Sequence, residues 1–287
     1  MISAKSILTE LNRFYKFYLS QATQVEGRNK TRKPMMRVDQ VATIILLYHA
    51  SHFVNFKVFY IEYARKFLRR MFPKMPGYSW FLRMRPDALL FLLKYMQSKT
   101  KQNTGVNYID STPIKVCHNA RINWHKTFRG IAARGHHSLG WFYGFKLHII
   151  TNTQGELMDI YLTKGNESDI IGLDKMGKAL VGLLIGDRGY ISAKHEQVLG
   201  ARGLKLITRV RSNMKPKPLT SREKFYLYRR SLVETVIGVI KAAYKLENSR
   251  IRSIAGFLVQ IFGALAAYTI MPMKPALSCG FNPLIRS

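Results

Sequence analysis

The sequence predicts an α/β fold in which helices flank a mixed β-sheet, preceded by a domain made only of helices. Residues 39–98 show the apolar spacing of helices. From Asn107 onward, runs rich in β-branched residues alternate with helical segments, which indicates a sheet with helices packed on its faces. Since 47% of the 287 residues are hydrophobic, the chain can build a core, and global disorder is excluded.

The N-terminal domain, assigned to residues 1–106, is expected to hold several short helices. The basic and aromatic stretch LNRFYKFYLS predicts one of them, and residues 26–34 have the composition of a linker. Asp39 is placed to cap a second helix, and further helices are expected over 54–68 and 86–98. Basic residues on short helices favour a DNA-binding unit of the helix-turn-helix type, while a plain helical bundle explains the same pattern.

The second domain, assigned to residues 107–287, is expected to hold the sheet. VNYIDSTPIKV predicts its first strand, and two further strands around Gln154-Gly155 predict a β-hairpin. The later elements are expected, in chain order, as a short helix from Asp169 to about 181, a strand at 182–187, a helix at 192–199, a strand at 205–210, a long helix at 221–246 and a final apolar helix.

That apolar helix, Ile254 to Met271, carries no charged residue and is near the lower length limit of a membrane span. Because it contains Gln260 and two glycines and is richer in Ala than in Leu, a helix buried in a protein core is the favoured interpretation. The first thirteen residues lack the apolar segment of a signal peptide. Two distant cysteines make no disulfide framework, so a reducing cytoplasm is expected.

The charge of the chain points to its partner. Lys and Arg number 46 against 16 Asp and Glu, which gives a formal net charge of +30. An ordinary metabolic enzyme has nearly balanced charges, whereas this excess favours binding to a polyanion such as nucleic acid. A basic protein of the membrane surface, or a chain that is simply very soluble, is the alternative.

Three of the few acids follow or lie within apolar segments. Asp110 lies within YIDST, Asp187 ends LLIGD, and Glu234 lies within RRSLVETVIG on the long helix. Carboxylates brought together repel one another unless a cation is bound, and oxygen ligands suit Mg²⁺ or Mn²⁺. Two such ions support phosphoryl transfer. Taken singly, each acid also has a structural explanation as a turn cap or as an ion pair with Arg188 or Arg230.

Together, these motifs resemble those of bacterial insertion-sequence DDE transposases, which belong to the RNase H-like superfamily. The resemblance is to the insertion-sequence family nine-eighty-two in particular. The resemblance covers about residues 107–270 and is carried by IDSTPIKVC, GFKLHIITN, GNESD, GDRGY and RRSLVETVIGVIK. It implies an RNase H-like sheet and assigns Asp110, Asp187 and Glu234 to catalysis and to holding two Mg²⁺ ions, with Mn²⁺ as a substitute.

The resemblance also assigns DNA-binding residues. Arg230 and Lys241 stand four residues before and seven after Glu234, as in the signature of Tyr, Arg, Glu and Lys in this group. Leu227 occupies the tyrosine position, between Tyr226 and Tyr228. Lys146 and Arg188 are further candidates for contact with DNA.

Two smaller patterns complete the candidate residues. Asn166 and Asp169 match the GNESD motif of the family, and Asp169 is equally suited to capping a helix. Five histidines have spacings that match no zinc site, and the adjacent pair His136 and His137 is placed in a basic loop, facing DNA or solvent.

The resemblance implies a DNA transposase that cleaves transposon ends and joins them to target DNA. Its partners would be double-stranded DNA, as terminal inverted repeats and target, and a second copy of the chain, in the cytoplasm near the bacterial nucleoid. The alternatives are a catalytically inactive, transposase-derived DNA-binding protein and an RNase H-like nuclease without strand transfer.

Overall fold

The computed structural model describes residues 3–22, 35–99, 101–102, 104–138, 140–215, 217–247 and 251–278. The expected linker at 26–34 lies outside them. The chain forms two compact units. One combines residues 1–100 with 240–272, and the other combines residues 101–239 with 273–287. The first unit therefore takes up the last helix, which the expected division at 106/107 assigned to the second domain.

The first unit is helical. Its helices are α1 (Ala4–Ala22), α2 (Val38–Ala50), α3 (Phe56–Val58), α4 (Arg65–Phe67), α5 (Tyr78–Met84), α6 (Ala88–Ser98) and α11 (Ile254–Thr269). A π-helical segment, Phe59–Ala64, joins α3 and α4, and a 3-10 turn, Arg85–Asp87, joins α5 and α6. The expected helix at 86–98 is thus shorter, and α5 was not predicted. Asp39 does not cap α2; it lies in its first turn, buried and paired with Arg37.

Helix α11 packs against α2 and α6 and supplies much of the core of this unit. Its residues Ala264, Leu265 and Ala266 are fully buried. Gly263 is required where α11 crosses α2, because a Cβ at this position would lie 2.7 Å from Nε2 of His49. The prediction of a buried core helix is therefore confirmed. Among the described residues, no helix is both long and apolar enough to cross a membrane.

The second unit is built on a six-stranded mixed sheet with the order β2-β3-β1-β5-β6, in which β4 also pairs with β3. The strands are β1 (Val106–Cys117), β2 (Ala133–His137), β3 (Gly140–Asn152), β4 (Leu157–Lys164), β5 (Gly182–Gly186) and β6 (Leu204–Thr208). β1 is antiparallel to β3 and parallel to β5, and β5 is parallel to β6. The predicted α/β class with a mixed sheet is confirmed.

The remaining α-helices are α7 (Ile170–Lys175), α8 (Ala193–Gly200), α9 (Ser221–Tyr228) and α10 (Ser231–Ala242), and two further 3-10 segments cover Asn119–Trp124 and Arg188–Tyr190. The predicted hairpin is confirmed as β3 and β4, which pair antiparallel. Strand β2 was not predicted, so His136 and His137 lie in a strand rather than in a loop. The predicted single helix at 221–246 is wrong, since it breaks between α9 and α10 at Arg229 and Arg230.

Candidate active site

Asp110 and Asp187 lie level with each other on neighbouring parallel strands. Val106 of β1 pairs with Leu183 of β5, and Tyr108 pairs with Ile185, an offset of 77 residues. Asp187 follows Asp110 by the same 77 residues in sequence. Continuing the register along β1 and past the end of β5 therefore brings the two acids side by side at the point where β5 ends.

Asp110 is the most buried of the three acids, with 19% of its side chain exposed. The pKa of Asp110 is raised to about 6, chiefly by burial and also by repulsion from Asp187 and Glu234. Two interactions oppose this rise, the backbone N–H of Ser111, which donates to Oδ1 at 2.8 Å, and the charge of Arg230. The carboxylates of Asp187 and Glu234 are thus close enough to repel that of Asp110.

Asp187 is exposed and begins the 3-10 turn Arg188–Tyr190. Its Oδ1 accepts a hydrogen bond from the backbone N–H of Gly189 at 3.2 Å, so its carboxylate stays in place without pairing with Arg188. The side chain of Arg188 is exposed beside it. Both groups are accessible to a ligand.

Arg230 links the other two acids. Its Nη2 donates to Oε1 of Glu234, which lies in the first turn of α10, and its Nη1 lies 3.9 Å from Oδ2 of Asp110. Only 22% of the Arg230 side chain is exposed, compared with 50% for Glu234. The structure therefore brings Asp110, Glu234 and Arg230 together, with the guanidinium balancing two of the three carboxylates.

Asp169 lies beside this group. Its Oδ1 accepts a hydrogen bond from the Ser111 hydroxyl at 2.7 Å and lies 3.3 Å from Nζ of Lys146. Lys146 also donates to the carbonyl of Glu167 at 2.9 Å, and only 15% of its side chain is exposed. Asp169 occupies the N-cap position of α7, as expected, but its side chain makes no capping hydrogen bond to the helix.

Two other candidate positions lie on α9 and α10. Lys241 is in the last turn of α10 and pairs with Oε1 of Glu247 at 2.8 Å. Of the two tyrosines that flank Leu227, Tyr226 is buried and Tyr228 is 74% exposed. A tyrosine side chain next to the signature position is therefore available to a ligand only at Tyr228.

The three carboxylates are the candidate ligands for a divalent cation. Among the described residues, no three His, Cys, Asp or Glu side chains form a group arranged to hold a metal ion. The chemistry of Asp110, Asp187 and Glu234 nevertheless fits Mg²⁺, since the carboxylate of Asp110 is repelled by the other two and all three supply the hard oxygen donors that this ion prefers. In this structure, the positive charge beside Asp110 and Glu234 comes from Arg230.

Residues 100–254 match the family model of the transposase DDE domain. This chain belongs to the DDE transposase family. No curated protein matches the sequence. Among solved structures, the transposase resembles the piggyBac transposase synaptic complex with hairpin DNA, determined by cryo-EM. The two share 10% sequence identity and a TM-score of 0.51, over 92% of this chain and 71% of the other. The predicted RNase H-like fold and DDE transposase family are confirmed, while membership of family nine-eighty-two stays a prediction.

The sequence marks Asp169 as a candidate residue but does not show that it contacts Ser111. A serine directly after Asp110 and an acid closing the GNESD word are the available signals. Neither indicates that Ser111 and Asp169 are partners, because 58 residues separate them and the contact depends on strand β1 reaching the loop after β4.

Proposed function

We propose that this protein cleaves transposon ends and joins them to target DNA, with Asp110, Asp187 and Glu234 as its catalytic residues. The observation that carries the proposal is the level placement of Asp110 and Asp187 on parallel strands, together with the Arg230 bridge to Glu234. The family match and the fold support this reading.

Mg²⁺, or Mn²⁺ in its place, is the proposed cofactor, held by the three carboxylates. When bound, such ions activate the attacking oxygen and stabilise the leaving oxygen in phosphoryl transfer. The protein's part is positional. Strand β1 fixes Asp110, the Gly189 N–H orients Asp187, and Arg230 is placed to exchange its carboxylate contacts for a DNA phosphate.

DNA is the proposed partner, in the form of terminal inverted repeats and target. The net charge of +30 supplies the attraction, and the solved neighbour is a transposase complex with hairpin DNA. Arg188, Arg230, Lys146 and Lys241 are proposed to contact phosphates, and the helical unit to recognise the DNA end. Because joining requires two ends, a dimer on DNA and a cytoplasmic, nucleoid-associated location are part of the same proposal.

Cleavage of terminal-repeat DNA in the presence of Mg²⁺ tests the proposal. Asp187→Ala is expected to lose cleavage by several orders of magnitude while its affinity for DNA is kept, because Asp187 is exposed and its loss leaves the sheet intact. Asp87→Ala, which removes an exposed acid from the helical unit, is the matched control. Equal cleavage by Asp187→Ala and wild type would show that the assigned triad is wrong.

A second assay separates strand transfer from hydrolysis. Pre-cleaved ends with a free 3′-hydroxyl are offered together with supercoiled target DNA, and joined products are counted. A transposase joins them, whereas a nuclease without strand transfer only cuts, and an inactive DNA-binding derivative does neither.

A further inference from the structure

A cavity of about 1100 Å³ lies within the helical unit. Its walls are the segment after α2, the α5–α6 region and the chain around the start of α11. Among the described residues that line it, the only carboxylate is Glu247, whereas five side chains are cationic: Lys57, Arg85, Lys241, Lys245 and Arg252. The lining therefore has the charge of an anion site.

Arg85 is the informative member of this lining. Its guanidinium lies over the Phe56 ring, 4.7 Å from the ring centre. Its Nε is buried and has no hydrogen-bond partner, and no carboxylate pairs with it among the residues the structure describes. Burial lowers the pKa of Arg85, because the charged form is less stable away from water. A bound anion would stabilise the charged form.

The N-terminus of α11 opens on the same cavity through Ser253 and Gly256. Ser253 caps the helix by accepting the Gly256 N–H at 3.1 Å, and the first turn contains no acid. A 16-residue helix directs its partial positive charge and its free N–H groups toward whatever lies in front of this end.

The existing contacts of the lining leave its charge positive. Glu247 is engaged by Lys241 at 2.8 Å. Lys245 donates to the carbonyls of Tyr48, His49 and Ser51 at the end of α2, and these neutral acceptors do not cancel its charge. The cavity thus combines an arginine whose buried Nε has no hydrogen-bond partner, a helix N-terminus and an excess of cations.

We propose that this cavity binds a phosphate group of the DNA backbone, with Arg85 and the start of α11 as its main contacts. The inference rests on the proposed function, since DNA is the source of the phosphate. It gives the helical unit a specific site for DNA in addition to a diffuse basic surface. Free phosphate shares the same chemistry, and the experiment separates the two sources.

The test compares full-length wild type, Arg85→Gln and Arg69→Gln for affinity to duplex DNA across a salt series. Arg69 is an exposed arginine of the same unit outside the cavity, so Arg69→Gln is matched in charge. Arg85→Gln is expected to weaken binding about tenfold and to reduce the salt slope by about one. Its melting temperature without DNA should equal or exceed that of wild type, because an unpaired buried charge has been removed.

Equal DNA binding by the two variants would overturn the inference, as would a lower melting temperature with unchanged binding. If Arg85→Gln does not fold, Arg252→Gln replaces it, since Arg252 is an exposed residue of the same lining. In a second arm, inorganic phosphate at constant ionic strength is tested for a rise in melting temperature. A further outcome is that phosphate raises the melting temperature of wild type but not of Arg85→Gln, while both proteins bind DNA equally. That result would assign the cavity to a small phosphate compound and overturn the DNA assignment.

The outcome is independent of catalysis. Loss of DNA affinity in Arg85→Gln together with full cleavage by Asp187→Ala would remove the catalytic proposal and keep this site. Normal DNA affinity in Arg85→Gln together with an inactive Asp187→Ala would remove this site and keep the catalytic proposal.

Discussion

The Lys146 ammonium group lies 3.3 Å from Oδ1 of Asp169, and the same oxygen accepts a hydrogen bond from the Ser111 hydroxyl at 2.7 Å. Ser111 directly follows Asp110 in β1. A Cβ placed on Gly189, in the turn that orients Asp187, would lie 3.2 Å from Oδ2 of Asp169. Asp169 therefore accepts a hydrogen bond from the residue after Asp110 and lies close to the turn that follows Asp187.

We predict that Asp169→Asn lowers the cleavage rate about 10- to 100-fold, because the residues that orient metal ligands commonly have effects of this size. The amide keeps the shape but loses the charge that holds Lys146. The rate is measured as a function of Mg²⁺ concentration, and the half-saturating concentration is expected to rise. A purely structural role would lower the amount of folded protein and leave that concentration unchanged. Asp87→Asn, which removes an exposed acid of the helical unit, is the control.

The raised pKa of Asp110 predicts a pH dependence of stability. The folded pKa of about 6 exceeds the unfolded value of about 3.9, so the folded state binds the extra proton between these values. The stability associated with Asp110 is therefore fully present below pH of about 4 and is lost as the pH rises through 6. Asp110→Asn should abolish cleavage and raise the free energy of unfolding at pH 7 by about 1–3 kcal/mol.

Denaturant unfolding of Asp110→Asn and wild type in a chelating buffer, from pH 4 to 8, checks this prediction. The gap between the two proteins should close at the acidic end. Asp87→Asn removes an exposed acid whose side chain caps no helix and should show no such gap. A gap that stays constant over the whole range would contradict the assigned cause.

Two helical glycines, one at the crossing of α2 and α11 and one in α10, should change stability in opposite directions when replaced by alanine. Gly263→Ala would place Cβ 2.7 Å from Nε2 of His49 and 2.8 Å from Cγ2 of Ile45, so we expect a loss of about 1–3 kcal/mol. Gly238 lies within α10 with no atom near its would-be Cβ, and Gly238→Ala should stabilise by about 0.5–1 kcal/mol. Melting temperatures that move in the same direction for both variants would contradict this packing.

Variants at Lys241 and its partner Glu247 separate a role in DNA binding from a role in the fold. Lys241→Ala should weaken DNA binding or joining while the fold survives, because a phosphate contact would be lost. Glu247→Gln breaks the same ion pair but keeps the lysine, and it should bind DNA as tightly as wild type or more tightly. If both variants lose binding equally, the ion pair itself matters. Loss of soluble Lys241→Ala protein would identify the lysine as structural.

Several elements of the fold were predictable because their signals are local. The β3–β4 hairpin follows from two β-rich runs around a Gln-Gly turn, and the helix expected at 192–199 is present as α8. The three acids stood out because acids are scarce in this chain and these lie beside apolar segments. By contrast, no Gly or Pro marks the break between α9 and α10, and only tertiary packing places it at Arg229 and Arg230.

The sequence by itself determined the α/β class, the basic character and the three candidate acids, since composition and short-range periodicity carry that information. Only the tertiary structure decided that Asp110 lies level with Asp187, because pairing between parallel strands joins residues far apart in the chain. It also decided that α11 packs with the N-terminal helices and that Asp169 holds Ser111 and Lys146 instead of capping α7. A helix apolar on all sides needs a partner, but its sequence does not specify which surface supplies it.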